Sequence, residues 1–363
     1  AGEVGRGGYP AADDEARSVR KALQNPVDAP RLRDVASGGS RVAISVEDVT
    51  RPVPNGPILS VLFEELAAGG VAPGDIDIVI ATGLHRPVAR EEIPKLLGEM
   101  PGEVTVESHD ARDPAALVDV GCTSQGRELG VNETFMAADT RVITGDVEYH
   151  QITGYGGGAK SVLPGLCDAE TIRSTHSRLD QPNARAGALE HNPVRQEVDE
   201  AARLAGVDFG VNVLLNRDGD VMRASCGDPV TAFRRIVPEV DRVYGVEVPR
   251  RYELVIVDCG GYPRDINLYQ AQKAVENALK MTKPGGRVVL AAQCEDGWGS
   301  EDFRRWAAQK PDLDEVCREM QRDFRMGYHK LYEFALERRH AELFLLSDLD
   351  DPELRSFIEP VTA

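Results

Sequence analysis

The sequence lacks any apolar run that approaches the roughly 18 residues a membrane-spanning helix needs. Its six cysteines include no C-x-x-C pair, a pattern that favours reduced thiols over a disulfide framework or a zinc site. It also lacks a positive charge balance, because 42 Lys and Arg residues stand against 60 Asp and Glu residues, a net charge of −18. That balance argues against nucleic acid or an anionic membrane surface as a partner. We therefore expect a cytoplasmic protein that binds neither.

The fingerprint G-x-G-x-x-G after a strand, which binds the pyrophosphate of nicotinamide cofactors, is absent as well. The nearest approach is G-W-G-S at 297–300, which lacks the third glycine, and we expect no helix to follow it. The sequence therefore does not favour a hydroxy-acid dehydrogenase that uses free nicotinamide.

Short apolar runs rich in β-branched residues alternate with helical segments along most of the chain. This alternation predicts an α/β fold with mostly parallel sheets that are covered on both faces. The pattern starts afresh after residue 250, which predicts two α/β domains, 1–247 and 251–363, with an active-site cleft between them. The predicted strands are 41–46, 77–82, 103–108, 140–145, 253–260 and 285–292, and the predicted helices are 14–23, 58–66, 89–98, 168–178 and 269–281.

The most informative stretch is E-Y-H-Q-I-T-G-Y-G-G-G-A-K-S-V-L-P-G-L at 148–166. It places His150, a glycine-rich turn and Lys160 within eleven positions. Closely spaced glycines let a backbone approach a bound group and point its N–H groups at an anion. A lysine at the end of such a turn is either a point charge for phosphate or an amine available for covalent attachment.

A nucleotide-binding P-loop is the less favoured interpretation of this stretch. Residues 154–161 match G-x-x-x-x-G-K-[ST] except that Ala159 replaces the second glycine. The run L-V-I-V-D that ends at Asp258 also imitates the strand such proteins use to bind Mg²⁺. However, Pro164 and Gly165 follow the lysine closely and would disrupt the long helix that a P-loop needs.

Two other polar loops follow predicted strands. The first carries Asp48, Thr50 and Arg51, which either shape a turn and a charged surface or aim a guanidinium at a phosphate or carboxylate. The second carries His85 shortly after Gly83, and this histidine is either a solvated loop residue or a catalytic one. Because the carboxyl ends of parallel strands share one edge of a sheet, both loops are expected near the glycine-rich segment.

His176 lies on the predicted helix 168–178. A lone helical histidine is usually a surface or capping residue. No second histidine at i+4 and no carboxylate cluster completes a conventional metal site around it. If His176 binds a metal, the other ligands must therefore come from a cofactor.

Taken together, these motifs resemble the nickel-dependent lactate racemase family, whose members carry a nickel-pincer nucleotide. The resemblance spans most of the chain, and the motifs occur in the family's order. They are D-V-T-R-P (48–52), A-T-G-L-H-R-P (81–87), Y-H-Q-I-T-G-Y-G-G-G-A-K-S-V-L-P-G (149–165), S-T-H-S (174–177), I-N-L-Y-Q-A-Q-K (266–273) and M-G-Y-H-K (326–330).

The resemblance implies a specific cofactor, the Ni(II) complex of pyridinium-3,5-bisthiocarboxylic acid mononucleotide. In that family a lysine forms a thioamide with the cofactor, and Lys160 stands in its place. His176 stands where the family has its nickel-ligating histidine, so that the cofactor would supply the sulfur, carbon and sulfur donors.

The resemblance also assigns roles to residues around the substrate. His85 and His150 match the family's two acid/base histidines. The other matches are Asp48, Thr50 and Arg51 for the cofactor, and Arg51, Gln270 and Lys273 for the substrate carboxylate.

The implied activity is racemisation or epimerisation of a small 2-hydroxy acid by reversible hydride transfer from Cα to the cofactor. The N-terminal domain would carry the tether, the nickel ligand and the acid/base histidines, and the C-terminal domain would contribute substrate-binding residues. Proteins that synthesise the cofactor are the implied partners. A non-catalytic cofactor carrier is the alternative, and it would need Lys160 and His176 but not both His85 and His150.

Two departures from the family pattern concern the substrate. Val49 stands where an arginine is often found, and M-G-Y-H-K replaces a tryptophan-bearing segment of the lactate-specific members. Tyr328, His329 and Lys330 therefore favour a substrate with a more polar or longer tail than lactate.

Overall fold

The computed structural model describes residues 15–176, 178, 181, 183–216, 218–262, 264–309, 312–320 and 327–361, with only the backbone of His176 included. The chain forms two compact units that divide between Val246 and Glu247. Each unit has its own main sheet, which is mostly parallel in the first unit and entirely parallel in the second.

The first unit contains, in chain order, α1 (Glu15–Gln24), α2 (Leu32–Val35), β1 (Val42–Glu47), α3 (Asn55–Ala68), β2 (Ile76–Ala81), α4 (Ile93–Leu97), β3 (Thr105–Ser108), β4 (Leu117–Cys122), β5 (Glu128–Asn132), α5 (Glu133–Met136), β6 (Thr140–Asp146), β7 (Tyr149–His150), β8 (Gly154–Tyr155), α6 (Ala169–His176), α7 (Pro193–Leu204), β9 (Phe209–Leu215), β10 (Val221–Gly227) and α8 (Thr231–Tyr244). Short 3-10 turns span Pro73–Asp75, Pro114–Ala116 and Gly158–Ser161.

The main sheet of the first unit has the strand order β10-β9-β6-β1-β2-β3. All neighbouring pairs are parallel except β9 and β10, which are antiparallel. Along β1, Ile44 packs into the core on one face and Ala43 into the core on the other. A strand covered on both faces reads as a continuous apolar run, which is why β1, β2 and β6 are visible in the sequence. The predicted α/β fold with mostly parallel sheets is confirmed.

Some local features differ from the sequence predictions. Helix α4 covers only Ile93–Leu97 of the predicted 89–98, because Pro94 is tolerated only in the first turn of a helix, so the helix begins late, and Gly98, at φ 72°, ends it. The antiparallel ribbons β4–β5 and β7–β8 were not predicted, since β4 is largely exposed and β7 and β8 have only two residues each.

The second unit contains β11 (Tyr252–Asp258), α9 (Leu268–Lys280), β12 (Thr282–Ala291), α10 (Glu301–Ala308), α11 (Leu313–Met320), α12 (Tyr328–His340), β13 (Ala341–Leu346) and β14 (Glu359–Val361), with a 3-10 turn at Pro352–Ser356. Its sheet is parallel throughout, in the order β11-β12-β13-β14.

The prediction that no helix follows G-W-G-S is wrong, because Ser300 caps α10 directly after it. The side chain of Ser300 accepts a hydrogen bond from the backbone N–H of Phe303, as an N-cap serine does. All six cysteines lie in the described ranges and are free thiols. None of the helices in those ranges combines the length and hydrophobicity that a membrane crossing requires.

Candidate active site

Three loops meet at one edge of the main sheet of the first unit. Strands β1, β2 and β6 lie side by side and run parallel, so their last residues, Glu47, Ala81 and Asp146, end at the same edge. We call this edge the carboxyl edge. In the sheet, β2 and β3 lie on one side of β1, whereas β6 lies on the other side. The strand order therefore reverses between β1 and β6. Ligands of open α/β sheets bind at such a reversal.

His85 is held by a buried carboxylate at the carboxyl edge. Its Nδ1 lies 2.7 Å from Oδ2 of Asp48, which is buried, while the imidazole of His85 is 55% exposed. The backbone N–H and the hydroxyl of Thr50 donate to Oδ1 of the same carboxylate, at 3.0 and 2.6 Å. Burial alone would raise the pKa of Asp48, but the hydrogen bonds from His85 and Thr50 lower it. Asp48 therefore stays ionised and fixes the proton of His85 on Nδ1, which leaves Nε2 as a base.

His150 is also held through Nδ1, but there this nitrogen accepts hydrogen bonds, whereas Nδ1 of His85 donates one. It ends β7, and its Nδ1 accepts hydrogen bonds from the backbone N–H groups of Ile152 and Thr153, at 3.3 and 3.2 Å. A neutral His150 therefore carries its proton on Nε2. The two histidines thus present a proton acceptor and a proton donor when both are neutral.

The glycine-rich segment fastens Lys160 to the carboxyl edge. Gly157 begins the 3-10 turn Gly158–Ser161, and the backbone N–H of Gly158 donates to Oδ1 of Asn212 on β9 at 2.9 Å. The hydroxyl of Ser161 donates to the carbonyl of Thr144 on β6 at 2.7 Å. A four-residue turn takes the place of the long helix that a P-loop requires, which agrees with the argument from the sequence.

Gly157 cannot be replaced without strain. Its φ is +72° and its ψ −173°, a region that is essentially restricted to glycine, and an added Cβ would lie 2.5 Å from the carbonyl oxygen of Asp146. We expect Gly157→Ala to lower the free energy of unfolding by about 2 kcal/mol or more and to displace the lysine turn. Denaturant titration measures this effect. Gly102→Ala is the matched control, since nothing lies within 4 Å of its added Cβ. Equal stability of the two variants would contradict the conclusion that position 157 requires glycine.

Lys160 is half-buried among charged groups. Burial, followed by the nearby charge of Arg51, lowers the pKa of its amine to about 7, although the carboxylates of Glu47 and Glu148 act in the other direction. Arg51 itself lies 3.4 Å (Nη1) from Oε1 of Glu148. An amine with a pKa near neutrality is available as a nucleophile, which suits covalent attachment better than phosphate binding.

The loop of His85 also contacts the chain just after Lys160. The backbone N–H of Gly83 donates to the carbonyl of Gly165 at 3.0 Å, and a Cβ on Gly83 would touch Ile172 of α6. Helix α6 therefore starts beside the same loops and ends at His176. The side chain of His176 lies outside the described residues.

Gln270 and Lys273 lie together in the second unit, in the first turns of α9. The side chain of Asn267 caps this helix by accepting from the backbone N–H of Gln270 at 3.0 Å. The Nζ of Lys273 donates to Oε1 of Gln270 at 2.7 Å. An amide and an ammonium group side by side are suited to a carboxylate.

Two residues of M-G-Y-H-K, Tyr328 and Lys330, form hydrogen bonds with other residues of the second unit. The buried Nζ of Lys330 donates to Oε1 of Gln272 at 2.8 Å and to Oε2 of Glu333 at 2.6 Å. The hydroxyl of Tyr328, which is also buried, donates to Oε2 of Glu319 at 2.9 Å. The prediction of a polar or longer substrate therefore loses the support of these two residues. His329 lies 3.0 Å (Nε2) from the hydroxyl of Tyr269, the residue before Gln270.

Several acidic residues at the carboxyl edge were not predicted to belong to the site. Glu47 and Asp146 are the last residues of β1 and β6, and Glu148 follows two positions later. The signal was present, because Glu47 directly precedes the motif 48–52, Glu148 begins the stretch 148–166, and Asp146 lies two positions before it.

No three His, Cys, Asp or Glu side chains form a group that could hold a metal ion, among the side chains that the structure describes. A metal bound here would take most of its donors from an organic group. The anchored amine of Lys160 and the cation of Arg51 fit such a group if it is anionic and has an electrophilic carbon.

Comparisons with known proteins match both units. Residues 3–187 match the family described as the lactate racemase N-terminal domain, and residues 248–327 match the lactate racemase C-terminal domain. The lactate racemase of Thermoanaerobacterium thermosaccharolyticum is 33% identical over 314 residues, 85% of this chain and 73% of that protein. The lactate racemase of Lactiplantibacillus plantarum is 32% identical over 351 residues, 94% of this chain and 81% of that protein.

A solved structure is similar over nearly the whole chain. The lactate racemase apoprotein from Thermoanaerobacterium thermosaccharolyticum superposes with a TM-score of 0.90 at 28% identity, covering 97% of this chain and 86% of that one. The resemblance inferred from the motifs is thereby confirmed.

Proposed function

Because the chain belongs to the lactate racemase family, we propose that it racemises or epimerises a 2-hydroxy acid with a nickel-pincer nucleotide tethered to Lys160. The strongest support within the chain is the set of anchored groups at the carboxyl edge. Two histidines are fixed through Nδ1, and a lysine amine has a pKa of about 7. A carrier without activity would have no use for the two anchored histidines.

The residues that would hold the cofactor come from the loops at the carboxyl edge and from α6. Lys160 would form the thioamide, and His176 would complete the coordination of nickel. Asp48, Thr50 and Arg51 would lie against the nucleotide and the substrate. When bound, the cofactor supplies a carbon atom that accepts a hydride from Cα and returns it.

Hydride removal avoids an unfavourable species. Abstraction of the Cα proton would place a carbanion beside a carboxylate, which is prohibitively basic. If the hydrogen leaves with its electron pair while the hydroxyl loses a proton, the substrate becomes a planar 2-keto acid. The return of hydrogen to the opposite face inverts the centre.

The histidines would manage the hydroxyl proton. Nε2 of His85 accepts the proton, and the carboxylate of Asp48 stabilises the imidazolium that results. Inversion moves the hydroxyl to the other side, so a second group is needed there, and His150 is proposed for it. Imidazole suits both roles because its unperturbed pKa of roughly 6.5 lets it accept and return a proton near neutral pH.

The substrate carboxylate would be held by Arg51, Gln270 and Lys273. Fixing this group leaves only the reacting carbon free to change its geometry, which is the positioning contribution to the rate. The net charge of −18 does not attract an anion, so these local groups must do so.

The orientation of His85 by Asp48 gives a testable prediction. Asp48→Asn keeps the shape of the side chain but removes the charge that stabilises the imidazolium. We expect kcat to fall roughly 10- to 100-fold with little change in KM, a smaller loss than removal of His85 itself. The control is Asp77→Asn, a carboxyl near the amino end of β2 that pairs with Arg41. Wild-type kcat in Asp48→Asn would contradict the role of this contact.

The proposed activity is tested by producing the chain together with the proteins that synthesise the cofactor. The purified protein is then incubated with single enantiomers of lactate, malate, phenyllactate and sugar-derived 2-hydroxy acids, and optical rotation is followed. We expect one class of acid to lose its rotation without consumption of the acid. If the cofactor is loaded and none of the acids racemises, the proposal is wrong.

A further inference from the structure

The ribbon β7–β8 carries His150 and is too short to hold its own position. Each strand has two residues, which pair Tyr149 with Tyr155 and His150 with Gly154. Even a longer two-stranded ribbon is only marginally stable in water when it is isolated. Contacts with the rest of the unit must therefore determine where the imidazole of His150 lies.

Both tyrosines of the ribbon are bound by one carboxylate of α8. The hydroxyls of Tyr149 and Tyr155 donate to Oδ1 of Asp241, at 2.8 and 2.7 Å. Their ring centroids lie 5.4 Å apart. Burial and the hydrogen bond to Asp241 raise the pKa of Tyr149 to about 12, and the same causes raise the pKa of Tyr155. Both hydroxyls therefore keep their protons near neutral pH and remain donors to this carboxylate.

The second strand of the ribbon is also held at Gly154, the partner of His150. The backbone N–H of Gly187 donates to the carbonyl of Gly154 at 2.9 Å. An added Cβ on Gly154, whose φ is +80°, would lie 2.0 Å from the carbonyl oxygen of Ala188. The ribbon is thus fixed between this segment and α8, where Asp241 supplies a charged acceptor. Hydrogen bonds to an ionised group are roughly twice as strong as those between neutral groups.

Apolar packing alone would bury the tyrosine rings. Tyr155 belongs to a core cluster with Phe233 and Val240 of α8, and Tyr149 is partly buried against the same cluster. Phenylalanine at both positions would fill the same space and would leave no hydroxyl to satisfy. The hydroxyls and Asp241 therefore add a directional restraint to a contact that burial already provides. A proton-transfer group needs such a restraint, because its nitrogen must stay within hydrogen-bond reach of the substrate hydroxyl.

We propose that Asp241 is a positioning residue for His150, acting through the two tyrosine hydroxyls of the ribbon, an inference that rests on the proposed function. Each of the two proposed bases then has its own carboxylate, in direct contact for His85 and through the ribbon for His150. In this role Asp241 exchanges no proton with the substrate. It holds the ribbon so that the imidazole meets the substrate hydroxyl.

The variants that test this role remove polar groups and keep the rings. Tyr149→Phe/Tyr155→Phe deletes both donors, and Asp241→Ala deletes the acceptor at an exposed position of α8, where truncation spares the core. The matched control is Tyr244→Phe, which removes a hydroxyl of the same helix that donates to the carbonyl of Leu215 on β9. Thermal unfolding of each variant shows whether the fold is retained.

The first readout is the reactivity of His150 in the apoprotein, which needs no cofactor. Diethyl pyrocarbonate acylates a ring nitrogen with an accessible lone pair, and Nδ1 of His150 uses its lone pair to accept hydrogen bonds from the turn of the ribbon. Loss of the hydroxyl contacts lets the ribbon open more often. We therefore expect acylation of His150 to be roughly 10-fold faster in the double tyrosine variant and in Asp241→Ala. Acylation of His85, and both rates in Tyr244→Phe, should match the wild type by peptide mass spectrometry.

The second readout separates the two enantiomers of the substrate. Steady-state turnover does not, because the equilibrium between the enantiomers fixes the ratio of kcat/KM in the two directions. Loaded protein is therefore mixed in excess with one enantiomer, and the 2-keto acid formed in the first turnover is trapped with a hydrazine after an acid quench. The substrate is oxidised as its hydride passes to the pyridinium cofactor and its hydroxyl proton to a histidine. We expect Asp241→Ala to form keto acid roughly 10-fold more slowly from one enantiomer and at the wild-type rate from the other, and Asp48→Asn to show the opposite preference.

Each outcome decides the inference. Faster acylation of His150 alone, together with slower formation of keto acid from one enantiomer, supports the positioning role. Unchanged acylation of His150, or wild-type rates from both enantiomers, overturns it in a folded variant. An equal change at both histidines or for both enantiomers also overturns it, since that result indicates a general effect on the fold. If the loaded wild-type chain forms keto acid from neither enantiomer, the proposed function fails, while the acylation rates still decide whether Asp241 positions His150.

Discussion

Lys160→Ala is expected to leave the chain without covalently bound cofactor and without racemase activity. The reason is chemical, because alanine has no amine, and no other described lysine combines a place on the glycine-rich turn with a pKa of about 7. Intact mass measured after production with the cofactor biosynthesis proteins should show the mass of the unmodified chain. The yellow-brown colour of the loaded protein should be lost on desalting.

The control for this variant is Lys280→Ala. Lys280 lies at the end of α9, its side chain is half exposed, and it interacts with Asn277 and Glu276 on its own helix. We expect this variant to load the cofactor and to react as the wild type does. A Lys160→Ala protein that kept a stable coloured cofactor and full activity would remove the tether from the account.

His85→Ala and His150→Ala are expected to lower kcat by roughly 10²–10⁴-fold each, the contribution typical of a positioned general acid or base. Both variants should still carry the cofactor on Lys160, because neither histidine takes part in the attachment. The combination of full loading and lost turnover separates an enzyme from a carrier, which would be indifferent to both changes. Mass spectrometry and polarimetry on the same sample give the two readouts.

His340→Ala is the matched control for the histidine variants. This side chain lies in the second unit at the end of α12, where its Nε2 contacts the carbonyl of Thr282, and we expect turnover to be unchanged. If either His85→Ala or His150→Ala racemises the substrate at close to the wild-type rate, the two-base account fails.

The parts of the site that follow from local sequence were predictable. Strands β1, β2 and β6 are apolar runs because both faces of the sheet are covered, and the loops after them share an edge by the rule for parallel sheets. That rule accounts for the meeting of the loops of Asp48, His85 and Lys160 in the structure. The resemblance to the lactate racemase family came from the order of the same motifs.

Contacts between distant residues were not predictable. The sequence assigned Asp48 to the cofactor, whereas the structure shows its carboxylate against Nδ1 of His85, 37 positions away. The contact between β1, which ends at Glu47, and β6, which ends at Asp146, joins two strands that other strands separate in sequence. Neither contact leaves a local pattern that a single sequence could reveal.

The burial of Tyr328 and Lys330 removes the support that these residues gave to the prediction of a polar or longer substrate. Tyr328 and Lys330 look like recognition residues in the sequence because they are polar and lie in a family motif. Helix α12 instead turns both side chains into the second unit, where Lys330 is neutralised by Glu333. Polar residues on a short motif therefore do not define a substrate pocket until their partners are known.

The most direct measurement is the fate of deuterium at Cα. The loaded protein is incubated in ordinary water with one enantiomer of its 2-hydroxy acid, labelled with deuterium at C2, and the opposite enantiomer is isolated. The account predicts that this product retains the deuterium, because the hydrogen leaves and returns with its electron pair. A product that contains hydrogen from water instead would show removal as a proton and would contradict the account.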